Sequence, residues 1–96
     1  MFIVHIEHAV HDYAAWKAAF DADPVGRRSG GVRGYRIARA LDDSRAVTID
    51  LEFDDHATAS AFREALERLW ETPQAQAALS GAPTGQVVEL TEAVSY

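Results

Sequence analysis

The chain switches between a two-residue hydrophobic period and a helical one, and the order of these switches constrains its fold more than any other feature. In the segment Ala46–Phe53 every second residue from Val47 onward is large and apolar, as in a strand with one buried face. Three further segments have the composition of strands: Phe2–His8, Val32–Ala40 and Gln86–Glu92.

Helix-type segments separate the first strand from the second and the third from the last. Their apolar residues are spaced three and four apart, as on one face of an amphipathic helix. Pro24 follows the first helix, and Thr72 with Pro73 predicts a third, short helix that continues to about Leu79. The expected buried stripes are Tyr13, Trp16 and Phe20 after an Asp12 N-cap, and Phe62, Ala65, Leu66 and Leu69 after an N-cap at Asp54 or Asp55.

The resulting order, β-α-β-β-α-β with a short helix before the final strand, predicts a ferredoxin-like α+β fold. Right-handed crossovers on such a chain give a four-stranded antiparallel sheet in the spatial order 4-1-3-2, with both long helices on one face. At 96 residues the chain is long enough for one hydrophobic core. We therefore expect a single domain over residues 1–96.

Helices on one face leave the other face of the sheet open. We expect the apolar rows of the first and third strands on the helix side, joined by Tyr35 and Ile37 from the second strand. In the last strand we place Val88 and Leu90 on the helix side. The open face is then expected to carry Ile3, His5, Glu7, Gly34, Arg36, Ala38, Thr48, Asp50, Glu52, Val87, Glu89 and Thr91.

A charged row is expected to cross this open face. The hairpin register places Arg36 opposite Asp50, and the first strand, lying beside the third, places His5 next to Asp50 as well. In one interpretation the row is a hydrogen-bonded network between two sheets that fixes the register of a dimer. In the other, His5 is a proton carrier tuned by Asp50, and Arg36 binds an anionic group. The structural interpretation is favoured.

A second candidate site lies on the helix side of the sheet. Aromatic residues at helical spacing, such as Tyr13, Trp16 and Phe62, are usually core residues. A gap between the helices and the sheet would nevertheless form an aromatic-lined ligand pocket. Its polar groups would be His8 and Tyr35.

Five of the nine cationic residues lie between Arg27 and Arg39. Arg27 and Arg28, in a glycine-rich loop, could form an anion-attracting mouth, although a solvated loop beside an edge strand is the favoured interpretation. His5, Glu7 and Asp50 could in principle ligate a metal. One histidine with scattered carboxylates is more common in surface or interface chemistry, so we predict no metal site.

The composition argues against several classes of partner. A net charge of −6 repels phosphate backbones and anionic lipids, so neither nucleic acid nor a membrane is an expected partner. No apolar run approaches the roughly 20 residues that cross a bilayer, and the N-terminal segment lacks the features of a signal peptide. Without cysteine the chain has no thiol chemistry. The expected location is the cytoplasm.

The strand order, the length near a hundred residues and the acidic start of the second helix (Phe53-Asp54-Asp55, then Ala61-Phe62) resemble the dimeric α+β barrel superfamily. Its best-known small members are antibiotic biosynthesis monooxygenase-like proteins. The resemblance covers nearly the whole chain. It implies a homodimer whose sheets pack into a shared barrel, with a pocket in each subunit between helices and sheet.

Members of that superfamily include cofactor-independent oxygenases of aromatic polyketides, haem-degrading enzymes, isomerases and cyclases. The haem-degrading members and many small oxygenases use an asparagine, and this chain contains none, so no catalytic residue is carried over. The resemblance therefore implies the fold and the dimer more than the chemistry.

The leading expectation is a small-molecule enzyme or binder that acts on an aromatic or polyketide-like ligand without a tightly bound cofactor. As a cofactor-independent monooxygenase, or a polyketide cyclase or isomerase, it would use His5 or His8 as the acid–base group and an arginine as the anion or enolate stabiliser. The alternative is a non-catalytic ligand-binding or dimerisation module. Haem binding through a histidine such as His8 is a third, weaker alternative.

Overall fold

A computed structural model describes all 96 residues and contains one four-stranded sheet. Its strands are β1 (Phe2–Ala9), β2 (Gly34–Arg39), β3 (Ala46–Phe53) and β4 (Thr84–Glu89). All neighbours are antiparallel and follow the order β2-β3-β1-β4, which confirms the predicted topology. β3 has the predicted bounds. β2 is shorter than predicted, and β4 begins and ends earlier.

Three helices complete the fold: α1 (Tyr13–Asp21), α2 (His56–Trp70) and α3 (Pro73–Ala78). Each begins after a side chain that accepts a hydrogen bond from the backbone N–H three residues further on. These N-caps are Asp12, Asp55 and Thr72, as predicted, with Asp55 rather than Asp54 capping α2. No helix has both the length and the apolar composition that a membrane span requires.

The hydrophobic core lies between the sheet and the helices. Trp16 from α1 and Phe62 from α2 belong to the same buried cluster as the apolar rows of β1 and β3, so both long helices cover one face of the sheet. α2 is the closer of the two, because only α2 brings several Cα atoms within 8 Å of the strands. The cluster consists of Val4, Ile6, Val10, Trp16, Val47, Ile49, Leu51, Phe53, Ala59, Phe62, Leu66 and Leu79.

The predicted orientation of β4 is wrong. Val87 pairs with Val4 and packs against the core, whereas Val88 pairs with Ile3 on the open face. The cause is Gly85, where an added Cβ would lie 3.0 Å from the Trp70 ring at the end of α2. Trp70 therefore covers Gly85 on the helix side. Alternation along the strand then turns Val87 to the same side, with Glu89, and puts Val88 on the other.

The loop that joins α1 to β2, residues 22–33, lies against α2. At Gly30 an added Cβ would lie 2.6 Å from the Phe62 ring. Gly31 has φ +95°, and a Cβ there would lie 2.3 Å from Thr58 Cγ2. The two glycines let the backbone approach the helix this closely, and Gly31 also supplies a left-handed conformation that other residues seldom adopt.

Replacing Gly31 by alanine is expected to lower the free energy of unfolding by about 1–3 kcal/mol, because it combines left-handed strain with a clash against Thr58. Chemical denaturation measures this change. The matched control is Gly81→Ala, since a Cβ at Gly81 meets nothing within 4 Å and should change stability by less than about 0.5 kcal/mol. Equal effects of the two substitutions would contradict the close approach.

Candidate functional site

A cavity of about 480 Å³ lies between the helices and the sheet. Fifteen of its 21 lining residues are hydrophobic, and its size is within the range of sites for small organic ligands. Both tryptophans of the chain line it. The walls include Ile6, His8, Ile49 and Leu51 from the sheet, Trp16, Phe20, Phe62, Leu66, Leu69 and Trp70 from the long helices, Asp23, Pro24, Val25 and Arg27 from the loop, and Ala75, Ala78 and Leu79 from the α3 region.

His8 is the unusual residue of this cavity. Both of its ring nitrogens are buried and neither has a hydrogen-bond partner. The ring lies 5.1 Å from the Trp16 ring, with the two planes inclined at 55°. Burial lowers the pKa of His8 to about 4, so the imidazole is neutral at pH 7. A neutral imidazole in an apolar wall can exchange a proton or a hydrogen bond with a bound molecule.

Arg27 stands at the loop side of the cavity with its guanidinium already engaged. Nη1 donates a hydrogen bond to the Phe20 carbonyl at 2.8 Å and lies 3.4 Å from Asp23 Oδ1. The guanidinium also lies 4.0 Å from the centre of the Phe20 ring and 5.2 Å from that of Tyr35. Its side chain is only 18% exposed. Arg27 therefore ties the loop to α1 and closes part of the cavity wall.

The structure brings some of the predicted pocket residues together and leaves others outside. Trp16, Phe62, His8 and Arg27 line the cavity. Three others do not line it. Tyr35 stands edge-on to Phe20, Tyr13 lies 4.3 Å beneath the Arg39 guanidinium, and Arg28 is exposed.

Sequence reasoning missed the contribution of α3. Ala75 and Ala78, three residues apart, and Leu79 form one wall of the cavity. The predicted N-cap and the helical spacing of these small residues already indicated a common face. The spacing could not indicate that this face lines a cavity and does not pack against another element.

The charged row on the open face is present as the register predicted. His5 Nδ1 lies 2.6 Å from Asp50 Oδ1, and Arg36 Nη2 lies 3.9 Å from Asp50 Oδ2. Glu7 approaches His5 Nε2 at 3.8 Å. The Arg36 side chain is 71% exposed, so its long contact with Asp50 contributes little by itself. The shortest contact of the row is the hydrogen bond between His5 and Asp50.

The two candidate sites are separate. His5 and His8 belong to β1, but an odd difference in position sends their side chains to opposite faces of the sheet. His8 lines the cavity, while the His5 row lies on the opposite face of the sheet. No group of three or more His, Cys, Asp or Glu side chains is placed to hold a metal ion.

Comparison with known proteins identifies the fold. No protein-family model matches the chain. No curated protein matches it either. Among the solved structures that match, three have TM-scores between 0.66 and 0.69. A mutant of SnoaB, a cofactor-independent oxygenase from Streptomyces nogalater, is 16% identical with a TM-score of 0.69 over 99% of this chain and 97% of its own.

The second is an antibiotic biosynthesis monooxygenase-like protein from Bordetella bronchiseptica, 18% identical with a TM-score of 0.68 over 95% of this chain and 98% of its own. The third is a dimeric ferredoxin-like protein from an uncultured marine organism, 17% identical with a TM-score of 0.66 over 97% of both chains. The chain shares their fold. The resemblance to antibiotic biosynthesis monooxygenase-like proteins is thus confirmed at the level of architecture, and identities this low carry no chemistry across.

Acidification is expected to destabilise the protein through His8. Its pKa is near 6.5 in the unfolded chain and about 4 in the fold, so between these values the unfolded state binds the extra proton. Stability that is present above pH 6.5 is therefore lost as the pH falls towards 4. We expect a loss of about 1–2 kcal/mol, below the full equivalent of the shift because solvent partly screens the ring.

The measurement is the unfolding free energy at pH 7 and at pH 4.5, for wild type and His8→Phe. The variant should lose less stability on acidification, whereas the control His11→Gln, at an exposed position, should behave as wild type. An NMR titration that placed the His8 pKa near 6.5 would contradict the burial argument.

Proposed function

We propose that the protein binds a small aromatic or polyketide-like molecule in the cavity between its helices and its sheet, without a tightly bound cofactor. The observation that carries this proposal is the cavity itself, about 480 Å³ with a mostly apolar lining and one histidine that has no partner. Apolar space left empty forfeits packing contacts and stability. A ligand that fills it regains both, and such a cavity is the default binding-site hypothesis in a small domain.

For turnover of such a ligand, His8 is the candidate proton acceptor. It sits in the wall of the cavity and is neutral at pH 7, so one ring nitrogen can accept a proton, and its pKa of about 4 makes it a weak base. His5 lies on the other face of the sheet and does not reach a ligand in the same cavity. A cofactor-independent oxygenase, cyclase or isomerase reaction fits this arrangement, and a non-catalytic binding protein is the alternative.

We further propose that two copies associate through the open face of the sheet. The open face combines the half-buried Val88 with the hydrogen-bonded pair His5 and Asp50, a mixture that a second copy could complement. A structural neighbour is a dimeric protein.

In such a dimer the His5 row has a structural role. Its charges would be enclosed between two sheets, where paired and hydrogen-bonded groups fix the relative position of the subunits more than they add affinity. The helix side of the sheet would therefore bind the ligand, and the open side would bind the partner copy.

Filling the cavity is expected to abolish ligand binding. Naphthalene, a neutral two-ring hydrocarbon, should bind to the wild type in equilibrium dialysis. Ala75→Phe places a large ring in the cavity and should weaken this binding at least ten-fold. Ala77→Phe is the matched control, because Ala77 lies on the same helix, is exposed and does not line the cavity. Equal binding by the two variants, or none by wild type, would contradict the proposal.

The dimer is tested by light scattering at micromolar concentration, where we expect twice the 10.5 kDa mass of one chain. Replacing Val88 by serine should weaken the dimer about ten-fold or more, since it removes apolar surface from the open face of both copies. The control is Leu41→Ser, an exposed apolar residue in the turn between β2 and β3, away from the open face. A wild-type mass of one chain would refute the dimer.

A further inference from the structure

Among the side chains that line the cavity, only His8 has buried polar atoms without a hydrogen-bond partner. The other two titratable lining residues, Asp23 and Arg27, engage each other: Asp23 Oδ1 accepts from the Arg27 backbone N–H at 2.8 Å and lies 3.4 Å from its guanidinium. From this asymmetry we propose that the cavity selects uncharged aromatic molecules that carry a hydroxyl group, and that this hydroxyl donates a hydrogen bond to a ring nitrogen of His8. The inference rests on the proposed function, because it names the class of ligand that the cavity takes.

The neutral state of the His8 imidazole is the reason for expecting a hydroxyl group on the ligand. A neutral ring has one nitrogen that accepts a hydrogen bond, and leaving such an atom buried and unpaired costs about 1–3 kcal/mol. A ligand hydroxyl recovers part of that cost on binding. Both nitrogens are almost out of reach of water, so the hydrogen bond to a ligand requires a small turn of the ring. The torsion between Cβ and the ring is soft enough to allow this movement.

The aromatic character follows from the surroundings of His8. The Trp16 ring lies 5.1 Å from the imidazole and 5.3 Å from the Phe20 ring, and all three residues line the cavity. Flat rings pack against such walls in offset or edge-on arrangements that add to the gain from apolar burial. The preferred ligand is therefore a ring system with its hydroxyl at the β1 side.

The ligand is expected to be uncharged because Arg27 already has its partners. Arg27 is the only cation in the lining, and it already bonds the Phe20 carbonyl and pairs with Asp23. A carboxylate in the cavity would lose its hydration without finding a free cation, and burying an unpaired charge is far more costly than burying a hydroxyl. The cavity should therefore discriminate against anionic aromatic compounds.

Three probes of similar shape separate these requirements: naphthalene, 1-naphthol and 1-naphthoate, each titrated into the 96-residue chain at pH 7 by calorimetry. We expect 1-naphthol to bind most tightly and 1-naphthoate at least ten-fold more weakly than 1-naphthol. In His8→Phe the ratio of naphthol to naphthalene affinity should fall about 3- to 10-fold, the equivalent of one lost hydrogen bond. His11→Gln should keep the wild-type ratio.

A second measurement needs no variant. Addition of 1-naphthol should shift the ¹⁵N resonance of one His8 ring nitrogen in the direction of hydrogen-bond acceptance, and naphthalene should not. This readout keeps the inference testable if His8→Phe fails to fold.

The outcomes distinguish this inference from the proposed function. If no probe binds, the proposed function fails and the inference falls with it. If naphthalene binds but the ratio is the same in wild type and His8→Phe, with no ¹⁵N shift, only the role of His8 is refuted. If 1-naphthoate binds as tightly as 1-naphthol, Arg27 is free to pair with a ligand and the selection against charge is refuted.

Discussion

A line of aromatic rings along α1 holds that helix away from the sheet, and the cavity exists because of this separation. The Trp16 ring is 5.1 Å from His8 on β1 and 5.3 Å from Phe20, and Phe20 is 5.1 Å from Tyr35 on β2. Such long rigid side chains bridge a gap that aliphatic residues would close. α2, which uses Phe62 and Leu66, approaches the strands more closely. The space that remains lies between the two helices and is completed by α3.

The side chains of β1 lie in two different environments, one on each face of the sheet. Its even-numbered side chains, from Phe2 to His8, face the helices, and its odd-numbered side chains, from Ile3 to Glu7, face away. This places one histidine in an apolar wall and another beside a carboxylate. Burial lowers the pKa of His8, while His5 has Asp50 as a hydrogen-bond partner at 2.6 Å. Two residues of the same type, three positions apart, thus acquire different chemical roles.

The sequence predicted those parts of the fold that depend on local periodicity. β3 has its predicted bounds because its alternation is strict, and the helix caps follow from single residues such as Asp12 and Thr72. The face of β4 could not be predicted, because Val87 and Val88 are both apolar and the choice depends on how Trp70 covers Gly85. That contact joins residues that are distant in sequence.

The candidate site was predictable to a similar extent. Helical spacing placed Trp16 and Phe62 on the inner faces of their helices, where both line the cavity. Tyr13 and Tyr35 do not line it, because Tyr13 lies under the Arg39 guanidinium and Tyr35, on the edge strand β2, stays 42% exposed. The missing partner of His8 is a property of the packed structure, since no pattern in the chain indicates which hydrogen bonds a buried ring will lack.

The loop that follows α1 is attached to both long helices. Arg27 binds it to the Phe20 carbonyl of α1, and Gly30 and Gly31 bring it onto α2. It therefore acts as a strap between the two long helices, and that side of the cavity resists opening. α3 has no fully buried residue, but its last residue is tied to the segment that follows β1, because the His11 N–H donates a hydrogen bond to the Ala78 carbonyl. Guest molecules should consequently enter and leave the cavity on a side other than that of the strap.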